Sequence, residues 1–69
     1  MTDWLNAQVT YDRIRKGFRQ DGLTSQEVED RLEWAAQQLL GVSFKALESD
    51  LAFALHLEQA FLGNAHPHY

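Results

Sequence analysis

Apolar residues recur along the first twenty positions at Trp4, Ala7, Tyr11, Ile14 and Phe18, at intervals of three and four. That spacing puts all five on one face of an α-helix and predicts helix one over residues 3–20, with Asp3 as its N-cap. Gln20-Asp21-Gly22-Leu23 reads as the stop: Gly22 accepts a left-handed conformation, and Leu23 folds back on the last turn. Gly17, inside the helix, costs about 1 kcal/mol relative to alanine, so it marks either a tolerated defect or the close approach of another helix.

Thr24-Ser25-Gln26-Glu27 forms a complete capping box, with Leu23 and Val28 placed as a hydrophobic staple. Helix two is predicted over 24–40, with Val28, Leu32, Ala35, Ala36, Leu39 and Leu40 facing inward. Gly41 ends it, Val42 and Leu47 stand as a second staple, and Ser43 caps a third helix over 43–62. Gly63-Asn64 is its stop, and 63–69 is a flexible tail. Helix three is apolar nearly all round. Leu47, Leu51, Ala54 and Leu55 serve the internal core, while Phe53, Leu57, Ala60 and Phe61 point elsewhere, an arrangement that predicts a dimer interface. The expected fold is therefore all-α: a small three-helix domain, or a bent two-helix hairpin if helices two and three merge through Gly41, homodimeric through the C-terminal helix.

Composition adds a reason to expect pairing. A chain of 69 residues without Cys builds a thin core and has no disulfide or zinc ribbon to brace it, which leaves self-association. The first residues lack a signal-peptide pattern, and the longest apolar run, Leu51 to Leu55, is far short of the roughly 20 residues that span a bilayer, so a cytoplasmic protein without a membrane partner is expected. Charge is split along the chain. Residues 1–22 carry four cations against three acids, and residues 23–69 carry two cations against seven acids, within a net charge of −4. An acidic body with one basic strip is suited to basic protein surfaces rather than to nucleic acid at large.

Few residues suggest chemistry. A nucleophilic triad needs a hydroxyl, a His and an acid converging in a dry cleft, whereas this chain offers His56 on a helix, two tail histidines and hydroxyls already assigned to caps. His66 and His68 on a flexible tail make a poor metal site. No enzyme activity, cofactor or metal is expected. For binding, Trp34 on the flank of helix two and Phe44 are the apolar anchors, with Glu29, Asp30, Glu33 and Glu48 as an acidic face across the Gly41 corner. Core packing for Trp34, and plain solubilisation by the acids, are the competing readings.

Residues 34–51 contain an Ala pair, a Leu-Gly-Val-Ser corner, and Leu47 and Leu51 four and eight residues after Ser43. This resembles the DNA-binding hairpins of Fis-like bacterial regulators. It would imply a small helix-turn-helix regulator touching DNA through Arg13, Arg15, Lys16, Arg19 and Lys45. However, the Ala pair sits one residue too far from the Gly, and Glu48 and Asp50 stand where a DNA reader needs polar or basic groups. As a whole, the chain resembles the small, acidic, Cys-free early proteins of temperate bacteriophages that inactivate host regulators, including anti-activators of LuxR-type quorum-sensing factors. That resemblance rests on size, charge and helical character and implies binding to a host protein, such as a transcription factor, by occlusion. A structural or assembly subunit is the remaining alternative.

Overall fold

Helix α1 spans Thr2–Gln20 and ends as its sequence predicts. The Leu23 N–H donates to the Phe18 carbonyl and the Gly22 N–H to the Arg19 carbonyl, the paired bonds of a Schellman stop, and Gly22 adopts φ +94° to permit them. Helix α2 covers Ser25–Leu40 behind the Thr24 capping box. There the Thr24 N–H donates to the Glu27 carboxylate at 2.8 Å, and the Glu27 N–H to the Thr24 hydroxyl at 3.2 Å. Gly41, at φ +67°, closes α2 with its N–H on the Gln37 carbonyl. The structure is a computed structural model and describes residues 2–62. The expected stop at Gly63-Asn64, the flexible tail and the histidines His66 and His68 lie outside the described residues.

The third helix departs from expectation. The chain after Gly41 forms a four-residue 3-10 turn, Phe44–Leu47, then a bend, and helix α3 begins only at Leu51 and runs to Leu62. Asp50 caps α3, its carboxylate accepting the Phe53 N–H at 3.0 Å. Ser43 caps the 3-10 turn instead, accepting the Lys45 N–H. The continuous helix over 43–62, the bent-helix merger and the helix-turn-helix hairpin over 34–51 are all corrected by this break: no second α-helix follows Gly41 directly.

The three helices run up, down and up. Arg15 meets Glu29 and Arg19 meets Ser25, so α1 and α2 are antiparallel; Arg13 meets Glu58 and Phe18 meets Phe61, so α3 lies parallel to α1. The all-α class is as expected, with no strand among the described residues. At the centre, Ala7, Tyr11 and Ile14 of α1, Val28, Leu32, Ala35 and Ala36 of α2, and Phe53, Ala54 and Leu57 of α3 are buried together, closed by Phe44 and Leu47 of the turn. Gly17 is a close approach: a Cβ there would fall 2.8 Å from the Leu62 side chain.

Tyr11 ties the turn to α1. Its ring packs edge-on against Phe44 at 4.8 Å between centroids, and its hydroxyl donates to the Leu47 carbonyl at 2.8 Å, satisfying a backbone acceptor in the core. Burial, with the Asp50 charge adding to it, pushes the phenol pKa up to about 12.

Candidate interaction surface

Placement of α3 re-sorts the residues expected at surfaces. Phe53 and Leu57, expected at a dimer interface, are buried in the chain's own core and are out of reach of a second copy. Leu55, expected inside, is 48% exposed. The 3-10 turn and bend cause this exchange: they restart the helix at Leu51 and rotate its apolar face relative to a helix continuous from Ser43. Of the expected dimer set, Ala60 is exposed, while Phe61 is half-buried and packs against Phe18, with ring centroids 5.1 Å apart and planes tilted by 60°.

The expected acidic face divides in two. Glu29 accepts from Arg15 at 2.9 Å and so joins α2 to α1. Glu33 is a structural fastener: its carboxylate accepts the Gln37 side-chain amide at 2.7 Å, the Phe44 N–H at 2.9 Å and the Ser43 hydroxyl at 3.3 Å. These bonds, led by Gln37, hold the Glu33 carboxyl below the usual carboxylate range. Phe44, expected as an anchor for a partner, is core. Glu48 is exposed beside the bend, where its backbone carbonyl accepts the Gln8 side-chain amide at 2.7 Å.

Asp30 and Trp34 remain, and the structure brings them together. They lie on the α2 face turned away from Glu29 and Glu33, and with Glu27, Arg31 and Phe61 they line an open groove of about 470 Å³ between α2 and the end of α3. Trp34 is 62% exposed, the most exposed large apolar side chain described, so the core reading for it is corrected. The groove pairs two aromatic walls with two carboxylates and one guanidinium. Glu27 is engaged in the capping box, whose Thr24 N–H lowers its pKa, while Asp30 accepts the Gln26 side-chain amide at 2.8 Å through one oxygen and presents its other oxygen to an incoming cation. The sequence sets Trp34 on the helix-two flank beside Arg31 and Gln38, and the structure adds Glu27 and Phe61 to that neighbourhood. The signal for the α2 members was available, since positions 27, 30, 31 and 34 follow the three-and-four rhythm of one helix face.

The basic strip is partly occupied. Arg13 forms a two-pronged pair with Glu58, at 2.7 and 3.4 Å, which raises its pKa further. Arg15 bonds Asp12 and Glu29 and lies 5.8 Å from the Phe44 ring, and Arg19 bonds Ser25. Lys16 and Lys45 are exposed. Among the described residues no cluster of three His, Asp or Glu side chains is arranged to hold a metal ion, and no helix is long and apolar enough to cross a membrane. Comparison with protein-family models, with curated proteins and with solved structures finds no match to this chain.

Proposed function

We propose that this chain is a non-enzymatic protein-binding domain that modulates a bacterial regulator by occupying a basic surface of that regulator, with the groove between α2 and α3 as its binding face. The observation that carries this reading is Trp34: a large aromatic side chain, 62% exposed, standing beside Asp30 in a groove walled by Phe61. Trp is enriched at binding hot spots because it offers much contact area for little conformational entropy, and a neighbouring carboxylate steers a cationic partner and fixes its register. The net charge of −4 favours encounter with a basic surface, such as the DNA-binding face of a transcription factor. The likeness in size and charge to phage anti-activators is in keeping with such a role, exercised by occlusion in the host cytoplasm. The pairing of Arg13 with Glu58 and of Arg15 with Asp12 and Glu29 weighs against DNA, because those cations are already partly neutralised.

The test is a tagged pull-down from nuclease-treated bacterial lysate, comparing the wild-type chain with Trp34→Ala and Asp30→Lys. A host protein held in stoichiometric amount by wild type and lost from both variants, at unchanged helicity, is the expected result. Equal capture by all three chains, or retention of DNA alone when nuclease is omitted, would overturn the proposal. Reversal of Glu33 is unsuitable for this purpose, since it would release the 3-10 turn as well as alter charge.

A further inference from the structure

Arg15 shows how this chain holds an arginine. Its Nε donates to Glu29 at 2.9 Å and its Nη1 to Asp12 at 3.1 Å, and its guanidinium lies over the Phe44 ring, 5.8 Å from the centroid. Two carboxylates take the N–H groups at the edge, and an aromatic ring takes the face. A guanidinium suits such a site better than an ammonium, because its donors are fixed in one plane and its weakly hydrated faces stack on rings.

The groove between α2 and the end of α3 presents the same groups on another face of α2. Glu27 and Asp30 stand three residues apart on that face, Trp34 four residues beyond Asp30, and Phe61 supplies the α3 wall. Trp34 is exposed, and an indole is the best ring for a cation. The chain itself satisfies the two carboxylates unequally. Glu27 gives one oxygen to the Thr24 N–H, and the charge of Arg31, four residues on, bears on it. Asp30 accepts the neutral Gln26 amide through one oxygen and forms no ion pair among the described residues. Two carboxylates and one guanidinium leave the groove with one net negative charge. Its volume of about 470 Å³ is in the range of sites that hold small ligands, ample for one long side chain.

We propose that this groove is a receptor for an arginine side chain of the partner protein, with the guanidinium edge on Asp30 and Glu27 and its face on Trp34. This assignment rests on the groove being the binding face and narrows the partner: a basic surface is not enough, and an arginine must project from it. The chain's own arginines do not supply the group, since Arg13, Arg15 and Arg19 are bonded within the chain and Arg31 lines the groove itself. Arg31 also limits the occupant. The groove answers a single cation, and a run of basic residues would bring a second cation against Arg31.

The test titrates the isotope-labelled full chain, at low salt, with N-acetyl-arginine amide, with its lysine counterpart and with N-acetyl-citrulline amide, which keeps the shape of arginine without the charge. Arginine should shift the Trp34 indole and the Asp30 and Phe61 amides saturably, while the Trp4 indole, also exposed, stays in place. Lysine should bind about tenfold more weakly, the loss of one charge-assisted hydrogen bond, and citrulline should leave the resonances unmoved. Asp30→Asn, which keeps the acceptor for Gln26, should weaken the arginine response about tenfold, and Trp34→Leu should weaken it as read at the Asp30 and Phe61 amides. The absence of a saturable arginine response, an equal response to lysine or citrulline, or an undiminished response in Asp30→Asn would each overturn the proposal. So would Trp34 shifts on dilution of the chain alone, which would seat a second copy in the groove. The readout is independent of capture from lysate: an arginine response without a captured host protein refutes only the regulator, and Trp34-dependent capture without an arginine response refutes only the arginine.

Discussion

Tyr11 shows how much one side chain contributes when it must do two things at once. Its ring fills the centre of the core, and its hydroxyl satisfies the Leu47 carbonyl where the 3-10 turn crosses α1. Tyr11→Phe keeps the ring but leaves that acceptor without its partner, so it is expected to cost about 1–3 kcal/mol in urea unfolding at pH 7. The effect should be pH-dependent. The folded pKa of about 12 lies above the ordinary value of 10.0, so the unfolded chain loses the phenolic proton first. The stability that Tyr11 provides is complete below pH 10 and is lost as pH rises toward 12. Wild type should therefore lose stability over that window faster than Tyr11→Phe, and parallel alkaline limbs would contradict the assignment. Sequence alone placed Tyr11 on the inner face of α1 through its spacing from Ala7 and Ile14. It could not supply the Leu47 partner, because that contact depends on where a turn thirty-six residues later crosses the helix. Trp4 and Leu39 fit the same inward pattern, yet the structure leaves them half exposed, since periodicity reports the direction of a side chain and not the length of the helix that covers it.

At the scale of elements, what was legible was what is local. The capping box at Thr24, the Schellman stop at Gly22 and the left-handed cap at Gly41 are fixed by neighbours within five residues, and each forms as its sequence predicts. The break before α3 was missed because Glu48-Ser49-Asp50 reads equally well as the exposed face of a continuing helix; the available signal was Asp50, a good N-cap directly before an apolar run. The consequence reached the interface assignment, since restarting the helix exchanged the roles of Leu55 and Leu57. Glu33 is the long-range device that stabilises this corner, and nothing in its sequence neighbourhood distinguishes it from a solvated acid. Its pKa is depressed in the folded state, as is that of Glu27, so the folded chain binds protons less readily than the unfolded one. The stability from both groups is present above the unfolded carboxyl range near pH 4.5 and is lost as pH falls through their folded values. Glu33→Gln should flatten the acid limb of a stability–pH curve and speed hydrogen exchange at the Phe44 amide at pH 7. An unchanged Phe44 exchange rate would show that the carboxylate does not hold the turn.

At the scale of the whole molecule, ion pairs and a groove with two aromatic walls lie toward the α1–α2 loop, and the exposed side chains Trp4, Leu39 and Leu40 lie toward the opposite end. Overall charge and the acidity of α2 were visible in the sequence. Which acids stay available was not, because Glu29 and Glu33 are engaged by residues on other elements, whereas Asp30 is bonded by Gln26 of its own helix through one oxygen. The binding account therefore rests on Trp34 and its neighbours rather than on acidity at large. The most direct test is an amide and indole resonance map of the isotope-labelled chain, recorded while the protein captured from lysate is added. The account predicts that the Trp34 indole and the amides of Glu27, Asp30, Arg31 and Phe61 shift together, while the Trp4 indole and the amides of Arg13 to Arg19 stay in place. Shifts concentrated on Trp4 or on the basic strip, with Trp34 unmoved, would contradict it.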